Sequence, residues 1–322
     1  MIVAFVAMNC WDPISNVSLT DAKLHYLAEA ASLGSMRAAS EKLDVAVSSI
    51  SRQIAQLEAD VGMPLIERGR RTIKLTEAGE IALRYYRESV AQREAFCSSL
   101  QGLRGMHSGQ VCLATGEGFV GLLSTQLQTF LARHVGLRVS VNIAGTLEAV
   151  RQVSEDEAHI GFVFHAPADP RITVRSYLAQ PIELLVHPAH PLAGAESVTL
   201  RELDQHRLCL PEVSFRIRQM IGMAEAQERV SLNPHISSNS LTLLKHMVKF
   251  GGYATLLPET AALIELNRRE LVAVPIANSV LKSTALNLIC RLGRTLPTAP
   301  TAFLRMMEDG MRSWERKNRA GA

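Results

Sequence analysis

Aromatic residues make up only 5% of these 322 residues, and cysteine occurs just five times. Cys10, Cys97, Cys112, Cys209 and Cys290 stand alone, an odd set without metal-ligand spacing. That pattern excludes a disulfide framework and a thiolate metal cluster, and it fits buried thiols in a reducing cytoplasm. Long apolar runs are missing too. The opening Met1 to Met8 is apolar, but it spans about two helical turns without a basic leading region, too short to cross a bilayer. Residues 1–19 read as an N-terminal extension, with the start open between Met1 and Met8, and no membrane partner is expected. Charge of one sign is not in excess: 34 Lys and Arg against 31 Asp and Glu leave +3. Any nucleic-acid affinity must come from local clustering rather than from the field of the whole molecule. Nucleophile elbow, phosphate loop and metal cluster are absent, so no catalytic residue, metal site or cofactor is expected. His187 and His190, beside Pro188 and Pro191, have the spacing of a turn.

What is present begins with length, which exceeds a single usual core and predicts two or three compact units. The most informative stretch is Leu24 to Gly79. A first helix from about Thr20 to Leu33, capped by Ser18 or Thr20, puts Leu24, Leu27, Ala28 and Ala31 on one face. Gly34 suits the left-handed residue that ends a helix. Ser35 caps the next, Met36 to Leu43, whose small Ala38 and Ala39 let two backbones approach. A turn at Asp44 to Ala46 leads to a third helix, Val47 to Val61. There Ile50, Ile54, Leu57 and Val61 build a buried stripe at helical spacing, with Ser48, Ser51, Arg52 and Ala55 opposite. A helix, a tight turn and a second amphipathic helix are the parts that lay side chains into the major groove of DNA. Arg37, Val47, Ser48, Ser49, Ser51 and Arg52 are the candidate contacts. Arg52 can read guanine in bidentate fashion, worth on the order of 1–3 kcal/mol of discrimination, or hold a phosphate. Taken alone, the stretch can also be read as a solvated helix face.

Gly62-Met63-Pro64 ends that helix, and Leu65 to Leu75 reads as two short strands around a tip. Arg68, Arg70, Arg71 and Lys74 follow Glu67 without another acid. Placed after a recognition helix, such a wing tracks the phosphate backbone and adds salt-dependent affinity.

The stretches Gly34-Ser35 with Arg37-Ala38-Ala39, Ser51-Arg52-Gln53-Ile54 with Leu57-Glu58, Gly62-Met63-Pro64-Leu65, Glu67-Arg68 and Leu75-Thr76-Glu77-Ala78-Gly79 carry a resemblance. In order and spacing they resemble the amino-terminal signature of the LysR-type transcriptional regulators. The resemblance implies a bacterial regulator with a winged helix-turn-helix domain at residues 20–79. One departure matters. Where many members carry Ser-Gln-Pro, this chain has Ala46-Val47-Ser48, so one common base reader is missing and Ala46 cannot cap the helix. Operator preference is not expected to transfer from relatives.

Thr76 to about Leu103 reads as one long helix, about 40 Å for roughly 28 residues. Ala82, Tyr85, Tyr86, Val90, Phe96, Leu100 and Leu103 form its interrupted apolar stripe. Such a stripe needs a partner helix, and a second copy would set two recognition helices apart for a pseudo-palindromic site. The resemblance implies the same use for this linker and dimerisation helix, residues 76–104. Gly102, Gly105 and Gly109 mark a hinge.

From Gln110 onward the pattern changes. Val111 to Thr115, Val139 to Ile143 and Ile160 to Phe164 alternate with helical stretches near Phe119 to Arg133 and Leu147 to Ser154. That argues for a mostly parallel sheet with crossover helices. Ile182 to Val186 crosses into a second lobe holding Leu208 to Leu210, Ile236 to Ser238 and Tyr253 to Leu257. Leu286 to Cys290 returns, and a helix from about Pro300 to Arg316 closes the chain. The expected fold class is α/β: an N-terminal winged helix-turn-helix, a long linker helix and a C-terminal two-lobed α/β effector domain of periplasmic-binding-protein type 2. Lobe I takes residues 108–180 and 284–322, and lobe II takes 181–283. His190-Pro191-Leu192-Ala193, Gly251-Gly252-Tyr253-Ala254 and Leu257-Pro258 resemble family marks in this domain. The family's common Gly-Glu-Leu-Asp appears as Asp156-Glu157-Ala158-His159. His159 reads either as a pH-sensitive group or as a hydrogen-bonded surface residue.

Ligands in such clefts sit at strand ends and helix N-termini, where backbone N–H groups favour anions. By position the candidate effector contacts are Glu117, Gly118, Thr146, Phe164, Ser214 and Phe215. The resemblance implies a threonine against the effector at Thr146. Glu117 stands where carboxylate-binding members have serine or threonine, and Phe164 where some have arginine. Both changes remove attraction for an anion and favour an effector that is less acidic, aromatic or partly apolar. Phe164 reads equally well as a core residue.

The function implied is sequence-specific binding to double-stranded promoter DNA, modulated by a small-molecule effector in the cleft. Homodimers and homotetramers would change DNA bending and the recruitment of RNA polymerase. A redox-responsive regulator is an alternative, because the resemblance extends to peroxide sensors with a reactive cysteine after the second lobe's first strand. Here Phe215 is near that place, and Cys209 lies in an apolar run where a thiol is expected to be inert. A solute-binding protein or an enzyme using the same cleft is the remaining alternative, disfavoured by the winged helix and the missing secretory signal.

Overall fold

The computed structural model describes residues 21–67, 72–102 and 108–320, and the chain divides into two compact units, Met1–Arg93 and Glu94–Ala322. In the first unit α1 spans Asp21–Leu33, α2 Met36–Leu43 and α3 Val47–Val61. Their ends follow local chemistry. Gly34 (φ +65°) ends α1 and Gly62 (φ +73°) ends α3, both left-handed as a glycine allows. Asp44, at φ 52°, does the same for α2, and the Ser35 side chain accepts from the Ala38 N–H at its start. Leu24, Leu27, Ala39, Ile50, Ile54, Leu57 and Leu65 form one buried core. The buried edge of α1 follows the three-residue ridge through Leu24, Leu27 and Ala30, while Ala28 and Ala31 are only half-buried. Ala46 sits at the cap of α3 and gives no side-chain bond.

Beyond α3 the Glu58 carboxylate accepts from the Leu65 and Ile66 N–H groups at 2.7 and 3.2 Å. Ile66 then bridges to Leu75 in antiparallel fashion, which forms the base of the hairpin. Arg68, Arg70 and Arg71 lie outside the described residues, as do residues 1–20, with the expected cap at Ser18 or Thr20, and residues 103–107, with Leu103 and Gly105. The Thr76 hydroxyl donates to the Pro64 carbonyl at 2.7 Å and accepts from the Gly79 N–H at 3.1 Å, which caps the long helix. That helix, α4, runs from Glu77 to Gly102. Gly79 is needed for a close approach: a Cβ there would lie 2.1 Å from the Leu65 carbonyl oxygen. The apolar residues of α4 divide between two faces. Ala82 and Tyr86 pack into the core of the first unit, whereas Ile81, Tyr85, Phe96 and Leu100 are exposed.

The second unit alternates strands and helices: β1 Gly109–Thr115, α5 Val120–Arg133, β2 Leu137–Ile143, α6 Thr146–Ser154, β3 Ile160–Phe164 and β4 Ile172–Ala179. The chain then builds β5 Ile182–Val186, α7 Leu200–Leu203, β6 Cys209–Pro211, α8 Arg216–Glu228, β7 Ile236–Ser238 and α9 Leu241–Lys249. It ends with β8 Ala254–Pro258, α10 Leu263–Asn267, β9 Val272–Val274, α11 Ser279–Lys282, β10 Ala285–Arg291 and α12 Thr298–Ala320. The first lobe is a sheet in the order β2-β1-β3-β10-β4. Within it β1 is parallel to β2 and β3, and β10 alone runs the other way.

The second lobe differs from a parallel sheet, since β5 is antiparallel to both β8 and β9. A parallel pair, β6 and β7, stands beside it. The two crossings between lobes are stitched together. The Gln180 N–H donates to the Thr284 carbonyl at 2.9 Å, and the Thr284 hydroxyl returns a bond to the Gln180 carbonyl at 2.6 Å. One apolar core runs through both lobes.

Candidate nucleic-acid interface and ligand cleft

The α3 face follows from its buried stripe. With Ile50, Ile54 and Leu57 turned into the core, helical periodicity leaves Val47, Ser48, Ser51 and Arg52 exposed and Ser49 half-buried. Among the described residues none gives the side chains of Ser48, Ser51 or Arg52 a partner. Arg37, on α2, is exposed and pairs with Glu41 at 3.1 Å, a solvent-screened contact one turn along the same helix. Lys23 of α1 and Asp60 of α3, joined at 2.6 Å, help fix the angle between these helices.

In the second unit the six candidate cleft residues come together. Glu117, Gly118, Thr146, Phe164 and Phe215 line an inner space of about 30 Å³, with Arg216, Leu241 and Pro258. Glu117, Ser214 and Phe215 also line an outer groove of about 490 Å³, with Ile143, Leu147, Glu148, Glu212 and Asn239. Phe164 is both things the sequence allowed: it belongs to the buried core and forms a wall of the inner space.

The polar groups of the inner space bond to one another. The Thr146 hydroxyl, in the first turn of α6, donates to the Phe164 carbonyl at 3.3 Å. Arg216 Nε, at the start of α8, donates to the His165 carbonyl at 3.1 Å. His165 has φ 45°, and burial, with Arg216 close by, holds its imidazole below the usual histidine range. The Glu117 carboxylate reaches α9 and accepts from the Leu241 and Thr242 N–H groups at 2.9 Å each.

The amino end of α9 went unread in the sequence, although Ser240 followed by Leu241, Leu244 and Val248 is a cap before a helical stripe. His159 also needs correction. It is buried rather than on the surface, because its Nδ1 accepts the Cys112 N–H at 2.9 Å and its Nε2 meets Glu94 at 3.0 Å. The His159 bond holds the Glu94 carboxyl below its usual range, and Arg294 pairs with its other oxygen at 3.0 Å. Burial pushes the Cys209 thiol up to about 12, so it is protonated and unreactive at neutral pH. Among the described residues no group of His, Cys, Asp and Glu is placed to hold a metal ion, and no helix is long and apolar enough to cross a membrane.

Residues 22–80 match the family described as bacterial regulatory helix-turn-helix protein, lysR family, and residues 104–312 match the LysR substrate binding domain. The chain belongs to the LysR family. It is therefore a DNA-binding transcriptional regulator that carries a substrate-binding domain, in a family that is not enzymatic. A probable RuBisCO transcriptional regulator of Synechocystis sp. is 26% identical over 299 residues, covering 91% of this chain and 86% of the relative. Among solved structures, a full-length OxyR variant from Pseudomonas aeruginosa has a TM-score of 0.67 at 16% identity, covering 91% of this chain and 95% of that one. Full-length CbnR in complex with its target DNA has a TM-score of 0.55 at 23% identity, covering 90% and 99%. At these identities the structures show a shared fold.

Proposed function

We propose that this LysR-family chain binds a promoter sequence through α3 and changes its output when a small molecule occupies the cleft of the second unit. The observation that carries the reading is the exposed set Ser48, Ser51 and Arg52, without side-chain partners among the described residues, on a helix pinned from behind by Ile50, Ile54 and Leu57. Hydroxyls and a guanidinium at the amino-terminal part of such a helix suit base edges and phosphates. Val47, Ser49 and Arg37 flank the contact, and Arg68, Arg70 and Arg71 supply phosphate contacts from the wing.

Homodimers form along the exposed Ile81, Tyr85, Phe96 and Leu100 face of α4, pair into homotetramers and act on RNA polymerase. Effector coupling requires a ligand that binds the two arrangements of the assembly with different affinity. Phe215, which lines the outer groove with Ile143 and Leu147, favours an aromatic or partly apolar ligand.

Footprinting on the DNA upstream of the chain's own coding region, with and without candidate metabolites, tests both halves. Protection of two half-sites one helical turn apart, or a multiple of it, altered by one metabolite, is the expected result. Protection that no metabolite alters would remove the effector half, and no sequence-dependent protection would remove the DNA half.

A further inference from the structure

Glu117 bridges the two lobes. It follows β1 of the first lobe, yet its Oε2 accepts from the Leu241 N–H at 2.9 Å. Its Oε1 accepts from the Thr242 N–H at 2.9 Å and from the Thr242 hydroxyl at 2.8 Å. The neighbouring open donors are taken within the second lobe, the Ser240 N–H by the Ser238 hydroxyl at 3.1 Å and the Leu243 N–H by the Ser240 hydroxyl at 3.3 Å. A helix leaves four N–H groups open at its amino end; here each has an acceptor.

Two independent features agree that this closure is tight. Gly118 is buried, and a Cβ on it would lie 3.3 Å from Ala261 Cβ and 3.5 Å from Leu241 Cδ1, so the turn lies flush on the second lobe. The inner space behind it is about 30 Å³, room for one or two water molecules rather than an effector. Arg216 also lines that space, so Glu117 and Arg216 give the inner cleft one charge of each sign.

We propose that Glu117 is the specificity-determining residue of the cleft: a tethered carboxylate that takes the place of an anionic ligand on α9, keeps the lobes together, and restricts the effector to molecules without negative charge. The proposal rests on the reading of this cleft as the effector site and adds the ligand class. A carboxylate ligand finds the α9 donors occupied and meets the charge of Glu117. A ligand without negative charge can settle in the outer groove against Ile143, Leu147 and Phe215 and needs no N–H group of α9.

Hydrogen exchange on the full chain tests this, with sodium acetate compared to sodium chloride at equal ionic strength. In the wild type the Leu241 and Thr242 amides exchange slowly, and acetate changes nothing. In Glu117→Ala both amides exchange at least about tenfold faster, as expected for lost charge-assisted bonds, and acetate slows them again in a saturable way. Glu117→Gln keeps the shape without the charge, gives a smaller acceleration at the same amides, and serves if the alanine variant does not fold. Unchanged exchange in the variants, acceleration in Glu117→Ala without acetate rescue, or an equal acetate response in wild type and variants would each overturn the proposal. The measurement uses neither DNA nor effector, so its failure and a failure of metabolite-dependent footprinting remain distinguishable.

Discussion

On α3 the side chains of Ser48, Ser51 and Arg52 are exposed and lack partners among the described residues, whereas in the cleft Glu117, Thr146 and Arg216 all bond to other parts of the chain. The two surfaces solve different problems. A helix that reads a duplex keeps its donors and acceptors open for base edges, and water satisfies them meanwhile at little cost. A cleft between lobes cannot leave donors open without losing stability when it closes, so the chain supplies its own acceptors. One surface waits for its partner, and the other holds a substitute for it.

The largest effect is expected in the first unit. Gly79→Ala forces a Cβ to within 2.1 Å of the Leu65 carbonyl oxygen and should cost on the order of 3 kcal/mol. Calorimetry should show a lowered transition for the first unit and an unmoved one for the second. A single shifted transition would mean that the units melt together.

A smaller effect sharpens the contrast inside the second unit, where Glu183 is an exception to satisfied polar groups. Among the described residues its buried Oε2 has no hydrogen-bond partner. Burial, and then the charge of Glu259, push its carboxyl up to about 7. The folded state therefore holds this proton more tightly than the unfolded state does. The stability gained is fully present below the unfolded value and is lost as pH rises through about 7. With allowance for partial exposure the loss is on the order of 2 kcal/mol. In urea titrations Glu183→Gln should flatten the fall in stability that begins above the ordinary carboxyl value and is complete a little above about 7. An unchanged slope would remove Glu183 from the account.

The smallest effect lies at the start of α3, where Ala46 leaves the cap position without a side-chain acceptor. Ala46→Ser should stabilise the first unit by about 1 kcal/mol, read as a raised thermal midpoint. No gain would mean that the serine does not reach the α3 N–H groups.

The contrast also explains which parts were legible in the sequence. The helices of the first unit were, because Gly34, Ser35, Asp44 and Gly62 mark their ends and Ile50, Ile54 and Leu57 repeat at helical spacing. β4 escaped notice, since only Leu178 of its eight residues is fully buried and Arg175 and Tyr177 interrupt the apolar pattern. α8 carries a stripe in Ile217, Met220, Ile221 and Ala224, yet no helix is expected there from the sequence.

The cleft residues were placed by their position at strand ends and helix starts, yet their bonding was not legible. Glu117 and Thr242 are 125 positions apart, and no local pattern announces such a pair. The burial of His159 is hidden for the same reason, since its partner Glu94 is 65 positions away.

The central claim is that the exposed end of α3 reads base sequence. Binding of wild type and Arg52→Ala to the footprinted promoter segment and to a random duplex of equal length, at one salt concentration, tests it most directly. The account predicts a loss of about 1–3 kcal/mol on the promoter and a much smaller loss on the random duplex. Equal losses would reduce Arg52 to a phosphate contact, and no loss on either duplex would contradict the placement of α3 in the groove.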